Sequence, residues 1–171
     1  MFDSIKNLLG MSAEKSPLSL LFTEVNMLGR KQMAMPIEFM GLSSRLAESA
    51  EGADRQLVID TLLKDYIAHK SMYVRRAAAI AFRKMDNLDS PEVNEAMFQR
   101  LSDENHWVIY DAAWFFEKNK SASGKILEKL KEIAGDAVKY DKDELEIPFD
   151  SISDAHLQAQ HQAAKAVLAN Q

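Results

Sequence analysis

Residues 73–86 read YVRRAAAIAFRKMD, and residues 107–120 read WVIYDAAWFFEKNK. Laid over one another at an offset of 34, they pair Tyr73 with Trp107, Val74 with Val108, Ala78-Ala79 with Ala112-Ala113, Phe82 with Phe116 and Lys84 with Lys118. The same offset carries upstream without a gap, pairing Ile59 with Val93, Leu63 with Met97 and Ile67 with Leu101. Apolar size classes therefore match across two successive helices, the signature of a repeated helical hairpin.

Working outward, the whole chain reads as helices. Ser16-Pro17 and Ser90-Pro91 each place a capping hydroxyl before a proline at the first helical position. The first is followed by Leu18, Leu21, Phe22, Val25 and Leu28, and the second by Val93, Met97 and Leu101. Pro36 opens a helix expected to turn Ile37, Met40 and Leu46 inward and to close near Gly52. Asp54 is expected to cap a third helix with Val58, Leu62, Leu63, Tyr66 and Ile67 inside, and Ser71 a fourth with Val74, Ala78, Ala81, Phe82 and Met85 inside. Asn105 caps a sixth helix to about Lys118, Ser123 begins a seventh, and Ser153 caps an eighth with Leu157, Ala164, Val167 and Leu168. No segment alternates with period two for long enough to be a strand. The expected fold is all-α: a right-handed α-solenoid of about four hairpins (about 16–52, 54–86, 90–119 and 121–170), preceded by an arm or cap over 1–15. The last hairpin falls into register after an insertion of 17 residues that holds an acidic stretch.

Composition narrows the function. The 171 residues are one domain's worth, 47% hydrophobic and 27% charged. There is no cysteine, which excludes disulfides, thiolate metal sites and a cysteine nucleophile. The net charge of −5 is concentrated in residues 141–154, and elsewhere 20 basic residues balance 20 acidic ones, so no nucleic-acid partner is expected. A modest basic face is possible from Lys64, Lys70, Arg75, Arg76, Arg83 and Lys84. No apolar run has the length of a signal peptide or a membrane span, and a cytoplasmic location is expected.

Residues 73–82, with Val-Arg, a small-residue pair and a large apolar residue after a turn, resemble HEAT repeats of the bacterial type also found in phycobilisome-lyase-like proteins. The resemblance covers residues 54–119. In that family an aspartate near the inter-helix turn pairs with the arginine of a neighbouring repeat. Here the aspartate is Asp103 but its mate one repeat earlier is His69, and the arginine is Arg75 but its mate one repeat later is Ile109. Arg75 and Asp103 are thus expected to form the one surviving rung, worth ~1 kcal/mol if exposed.

The candidate site lies on the second helices, which line the concave surface in such repeats. Trp107, Tyr110 and Trp114 form a stripe with Asp111 among them; the stripe continues as Tyr73 and Arg76 in the preceding repeat and reaches His161 in the last hairpin. These seven are the expected partner-binding residues, an amphipathic cleft for a peptide or helix of another protein. The same stripe can instead be packed core, and the sequence leaves both readings open. A non-catalytic scaffold is the first expectation. The alternative is an enzyme of a HEAT-like branch, either pigment lyase-like or similar to the alkylpurine DNA glycosylases, which set a Trp and an Asp on one helix face as Trp107-x-x-x-Asp111 does. No catalytic residue, cofactor or metal is assigned: the four histidines lack ligand spacing, and residues 141–146 lack the glycine of a calcium loop.

Overall fold

The computed structural model describes residues 16–88, 90–136 and 151–170; the arm over 1–15 and the acidic stretch from 141 to 150 lie outside them. Among the described residues there are eight α-helices and no strand: α1 (Pro17–Leu28), α2 (Pro36–Ser49), α3 (Arg55–Thr61), α4 (Met72–Lys84), α5 (Pro91–Arg100), α6 (His106–Asn119), α7 (Lys125–Asp136) and α8 (Ser151–Ala169). The even-numbered helices pack on one another in succession, α2 on α4, α4 on α6 and α6 on α8; α1, α5 and α7 each lie against the helix that follows, whereas α3 reaches α4 through the turn that ends it, Leu62–Tyr66.

Three of the expected caps form. Ser16 Oγ accepts from the Ser19 N–H (3.2 Å), Ser90 Oγ from the Val93 N–H (3.3 Å), and Asn105 Oδ1 from the Trp107 N–H (3.1 Å). Two do not: neither Asp54 nor Ser71 uses its side chain to cap. At α4 the acceptor is instead His69, whose Nδ1 takes the Ser71 N–H at 3.0 Å. One repeat later Asp103 Oδ1 takes the Asn105 N–H at the same 3.0 Å. A neutral imidazole therefore does in one turn what a carboxylate does in the next. The ring is held close, because a Cβ on Gly29 would stand 2.8 Å from His69 Cε1. Helix α7 starts at Lys125 rather than Ser123, after Gly124 turns the chain at φ +49°, and α8 starts two residues ahead of Ser153.

Helix α3 continues into a single π turn, Leu62–Tyr66, in which the Ile67 N–H reaches back to the Leu62 carbonyl (2.8 Å). Tyr66 is buried, and its hydroxyl donates to the Phe22 carbonyl of α1 at 3.2 Å. Burial first, and the Asp65 charge second, push the Tyr66 phenol up to about 12.

The core follows the repeat. Ala77, Ala78, Ala112 and Ala113 are wholly buried and leave room for close helix approach, and Phe82, Phe115 and Phe116 fill the interior. At the far end of the even helices Lys118 Nζ donates to the Lys84 and Met85 carbonyls (3.2 Å each) and to Asp86 (3.0 Å), closing the C-terminus of α4. Its register mate Lys84 donates to Ser44 of α2 at 2.7 Å.

Helix α2 departs from the expected phase. Leu46 is buried, but Ile37 is 79% exposed and Met40 47%, while Phe39, Leu42, Ser43 and Ala47 turn inward. The reason is nonlocal: Phe39 stacks on Tyr73 of α4 (centroids 6.1 Å apart, planes at 28°), and that contact sets the rotation of the helix.

Candidate functional site

The interrepeat rung is present and buried, not exposed. Asp103 receives two bonds from Arg75 (Nε 2.9 Å, Nη2 2.8 Å) and a third from Arg100 Nη1 (3.0 Å), in addition to the Asn105 N–H. The remaining donors of Arg75 go to the His69 and Lys70 carbonyls (2.9 and 3.1 Å) and to Glu104 (3.1 Å). With side chains 5% and 2% exposed, Arg75 and Asp103 form a structural tie that offers nothing to a ligand.

The same junction is sensitive to acid. Burial lowers the His69 pKa, and the neighbouring Lys70 and Arg75 charges lower it further, so the ring is held neutral as the Ser71 acceptor. Because the folded state binds this proton less tightly than the unfolded chain, the contribution is complete above about pH 6.5 and is lost as pH falls through the lowered pKa. Between pH 7.5 and 5 the melting temperature of the native chain is expected to fall about 2–4 °C more than that of His69→Asn, whose amide oxygen accepts the same N–H without titrating. Thermal unfolding followed by circular dichroism at the two pH values reads the difference, and equal falls would remove His69 from this role.

Five of the seven expected site residues come together, and a sixth lies beneath them. The Arg76 guanidinium sits between two rings, 4.6 Å from the Phe39 centroid and 5.0 Å from that of Trp107. Its Nε donates to Asp111 Oδ2 at 2.8 Å. Trp107 meets Tyr110 edge to face at 5.4 Å, and Tyr110 meets Trp114 edge to face at 6.3 Å. With the Phe39–Tyr73 stack, the result is a row of five rings and one cation crossing α2, α4 and α6. Tyr73, Tyr110 and Trp114 are partly buried and pack against the core, and Trp107 is likewise neither buried nor fully exposed. Trp114 Nε1 is buried without a hydrogen-bond partner among the described residues.

Asp111 is the foundation of this row, not part of its surface. It is 1% exposed, and burial pushes its carboxyl above the ordinary carboxylate range against the opposing pull of Arg76. A carboxylate enclosed this way and committed to Arg76 cannot face a sugar cation, so the Trp107–Asp111 spacing has no glycosylase-like geometry behind it. His161 has a different contact. It is 4% exposed, and its Nδ1 lies 2.5 Å from the Ile133 carbonyl, to which it donates, tying α8 to α7.

Sequence reasoning missed Phe39, whose signal was obscured by the apolar residues on either side of it. It also missed Gln160, whose Oε1 lies 3.1 Å from His106 Nδ1 and joins α8 to the start of α6. Of the expected basic face, Arg75 and Arg76 are spent on Asp103 and Asp111, and Lys84 donates to Ser44. Among the described residues no three His, Asp or Glu side chains group to hold a metal ion, and no helix is long and apolar enough to cross a membrane. No family model matches the chain, and neither a curated protein nor a solved structure matches it.

Proposed function

We propose that this chain is a short right-handed α-solenoid of four HEAT-like hairpins that acts as a non-catalytic scaffold, gripping a peptide or helix of another protein on the face formed by its even-numbered helices. The observation that carries the reading is the half-exposed aromatic row held in place by Arg76 and Asp111. Partly exposed aromatic rings whose rotamers packing has already fixed bind at low entropic cost. The ion pair below them is the kind of support that pre-organises a binding surface. Fold alone confers no activity, and here the one acidic residue in the row is enclosed.

Selection of binders from a displayed peptide library, followed by fluorescence titration, tests the proposal. Tyr110→Ala is expected to weaken selected peptides at least 10-fold, as truncation of a binding hot spot does. Leu57→Ala, an exposed apolar residue on α3 outside the row, is expected to leave the affinity unchanged. Equal binding by both variants would sink the reading.

A further inference from the structure

The large apolar side chains that are exposed among the described residues all lie between Leu20 and Leu57, and most belong to the first hairpin: Leu20 (47%), Met27 (59%), Met33 (79%), Met35 (62%), Ile37 (79%) and Met40 (47%). Large apolar side chains left exposed on one part of a soluble protein mark an interaction site. Four of the six are methionines, whose unbranched side chains repack readily against another surface.

One of them, Met27, lines a cleft of 320 Å³ between α1 and α2, together with Leu28, Gly41 and Leu42. Its rim has a definite charge pattern. Glu24 precedes Met27 by about one turn on α1 and Lys31 lies just past that helix's end, while Glu38 and Arg45 flank Gly41 by about one turn on either side on α2. Two ion pairs cross the cleft, Glu24 with Arg45 and Lys31 with Glu38. Signs therefore alternate around the four corners. At the centre stand a protruding methionine on one helix and, opposite it, a glycine where an added Cβ would meet nothing within 4 Å.

An alternating four-cornered pattern is complementary to its own copy turned over by a two-fold axis lying along the cleft. That rotation sets α1 of one copy against α2 of the other in antiparallel orientation. Glu24 then faces the second copy's Arg45, Lys31 faces the second copy's Glu38, and Met27 enters the gap over the second copy's Gly41. All of these contacts occur twice, as an isologous interface requires.

We propose that the outward cleft of the first hairpin docks a second copy of this chain, forming a two-fold dimer in which Met27 of each protomer packs over Gly41 of the other. The surface is distinct from the aromatic row, and the proposal does not depend on the row's role.

Because the chain has no cysteine, single cysteines report the geometry cleanly. Met27→Cys and Gly41→Cys chains, one carrying an affinity tag, are mixed and oxidised. The disulfide between a Met27→Cys chain and a Gly41→Cys chain is expected to exceed either symmetric disulfide by at least 5-fold. In parallel, the native chain at 100 µM (about 2 mg/ml) is expected to sediment at twice its 19.3 kDa mass, and Met27→Lys, a change at an exposed position, at 19.3 kDa with unchanged circular dichroism. A native chain that sediments as a monomer, a dimer that persists in Met27→Lys, or symmetric disulfides that equal or exceed the mixed one would each overturn the proposal.

Discussion

Asp103→Ala is expected to destabilise the folded chain by about 3–5 kcal/mol, a large share of the stability of a domain this size. The loss does not come from deleting an attractive contact alone. Arg75 is buried, and its hydrogen bonds go to Asp103, to the His69 and Lys70 carbonyls and to Glu104; without the Asp103 carboxylate its charge is left in the interior with the two carbonyls and the single contact to the exposed Glu104. Arg100 and the Asn105 N–H lose the same acceptor. Asp103→Asn keeps the N–H contact at the start of α6 and one oxygen for Arg75, and is expected to lose about half as much. Urea unfolding followed by circular dichroism measures both. A loss below 1 kcal/mol for Asp103→Ala would mean that the junction between the second and third hairpins does not depend on this rung.

Asp111 offers the second large effect and a sharper contrast. Asp111→Ala leaves Arg76, with its side chain only 13% exposed, without a counter-charge, and is expected to cost about 3 kcal/mol. Asp111→Asn is expected to remain within about 1 kcal/mol of the native chain at pH 7, because its amide oxygen accepts the Arg76 Nε–H while the cost of burying a carboxylate disappears. The sign follows from the direction of the shift. A carboxyl whose folded pKa is raised binds its proton more tightly in the folded state, so stability falls as pH rises from the ordinary carboxylate range through the raised value. The asparagine variant lacks that decline. If Asp111→Asn and Asp111→Ala are equally unstable, the carboxylate matters for a reason other than holding Arg76.

What the chain discloses without coordinates is what depends on local chemistry or on the repeat. Ser16, Ser90 and Asn105 cap because a side-chain acceptor before a helix satisfies a nearby N–H whatever the tertiary fold. The Arg75–Asp103 rung was legible only through the resemblance to HEAT-type repeats, which pair such an aspartate and arginine; the 34-residue register added that Ile109 and His69 stand where a second rung would. Its burial was not legible, since that depends on Arg100 and two carbonyls closing around it. The phase of α2 failed for a related reason. Between Met33 and Met40 apolar residues fall on several faces at once, so periodicity alone admits more than one rotation, and the choice is made by Phe39 meeting Tyr73 and Arg76 more than 30 residues away. The π turn at Leu62–Tyr66 has no marker in its residue types; it is a local insertion that lets Tyr66 reach the Phe22 carbonyl. His69 read as a departure from the repeat pattern, and its chemistry proved equivalent, because an imidazole nitrogen can accept the N–H that a carboxylate oxygen accepts elsewhere.

The row itself was half legible. The stripe Trp107, Tyr110 and Trp114 with Tyr73 and Arg76 follows from helical spacing, whereas the burial of Asp111 against Arg76 and of His161 against the Ile133 carbonyl depends on how α4, α6, α7 and α8 pack.

The most direct test of the central claim is acrylamide quenching of the single remaining tryptophan in Trp114→Phe and in Trp107→Phe, with and without a selected peptide. A half-exposed row that grips a partner predicts collisional quenching of both indoles in the free protein and a marked loss of quenching at Trp107 on saturation. Emission protected in both variants from the start, or quenching that the bound peptide leaves unchanged, would contradict it.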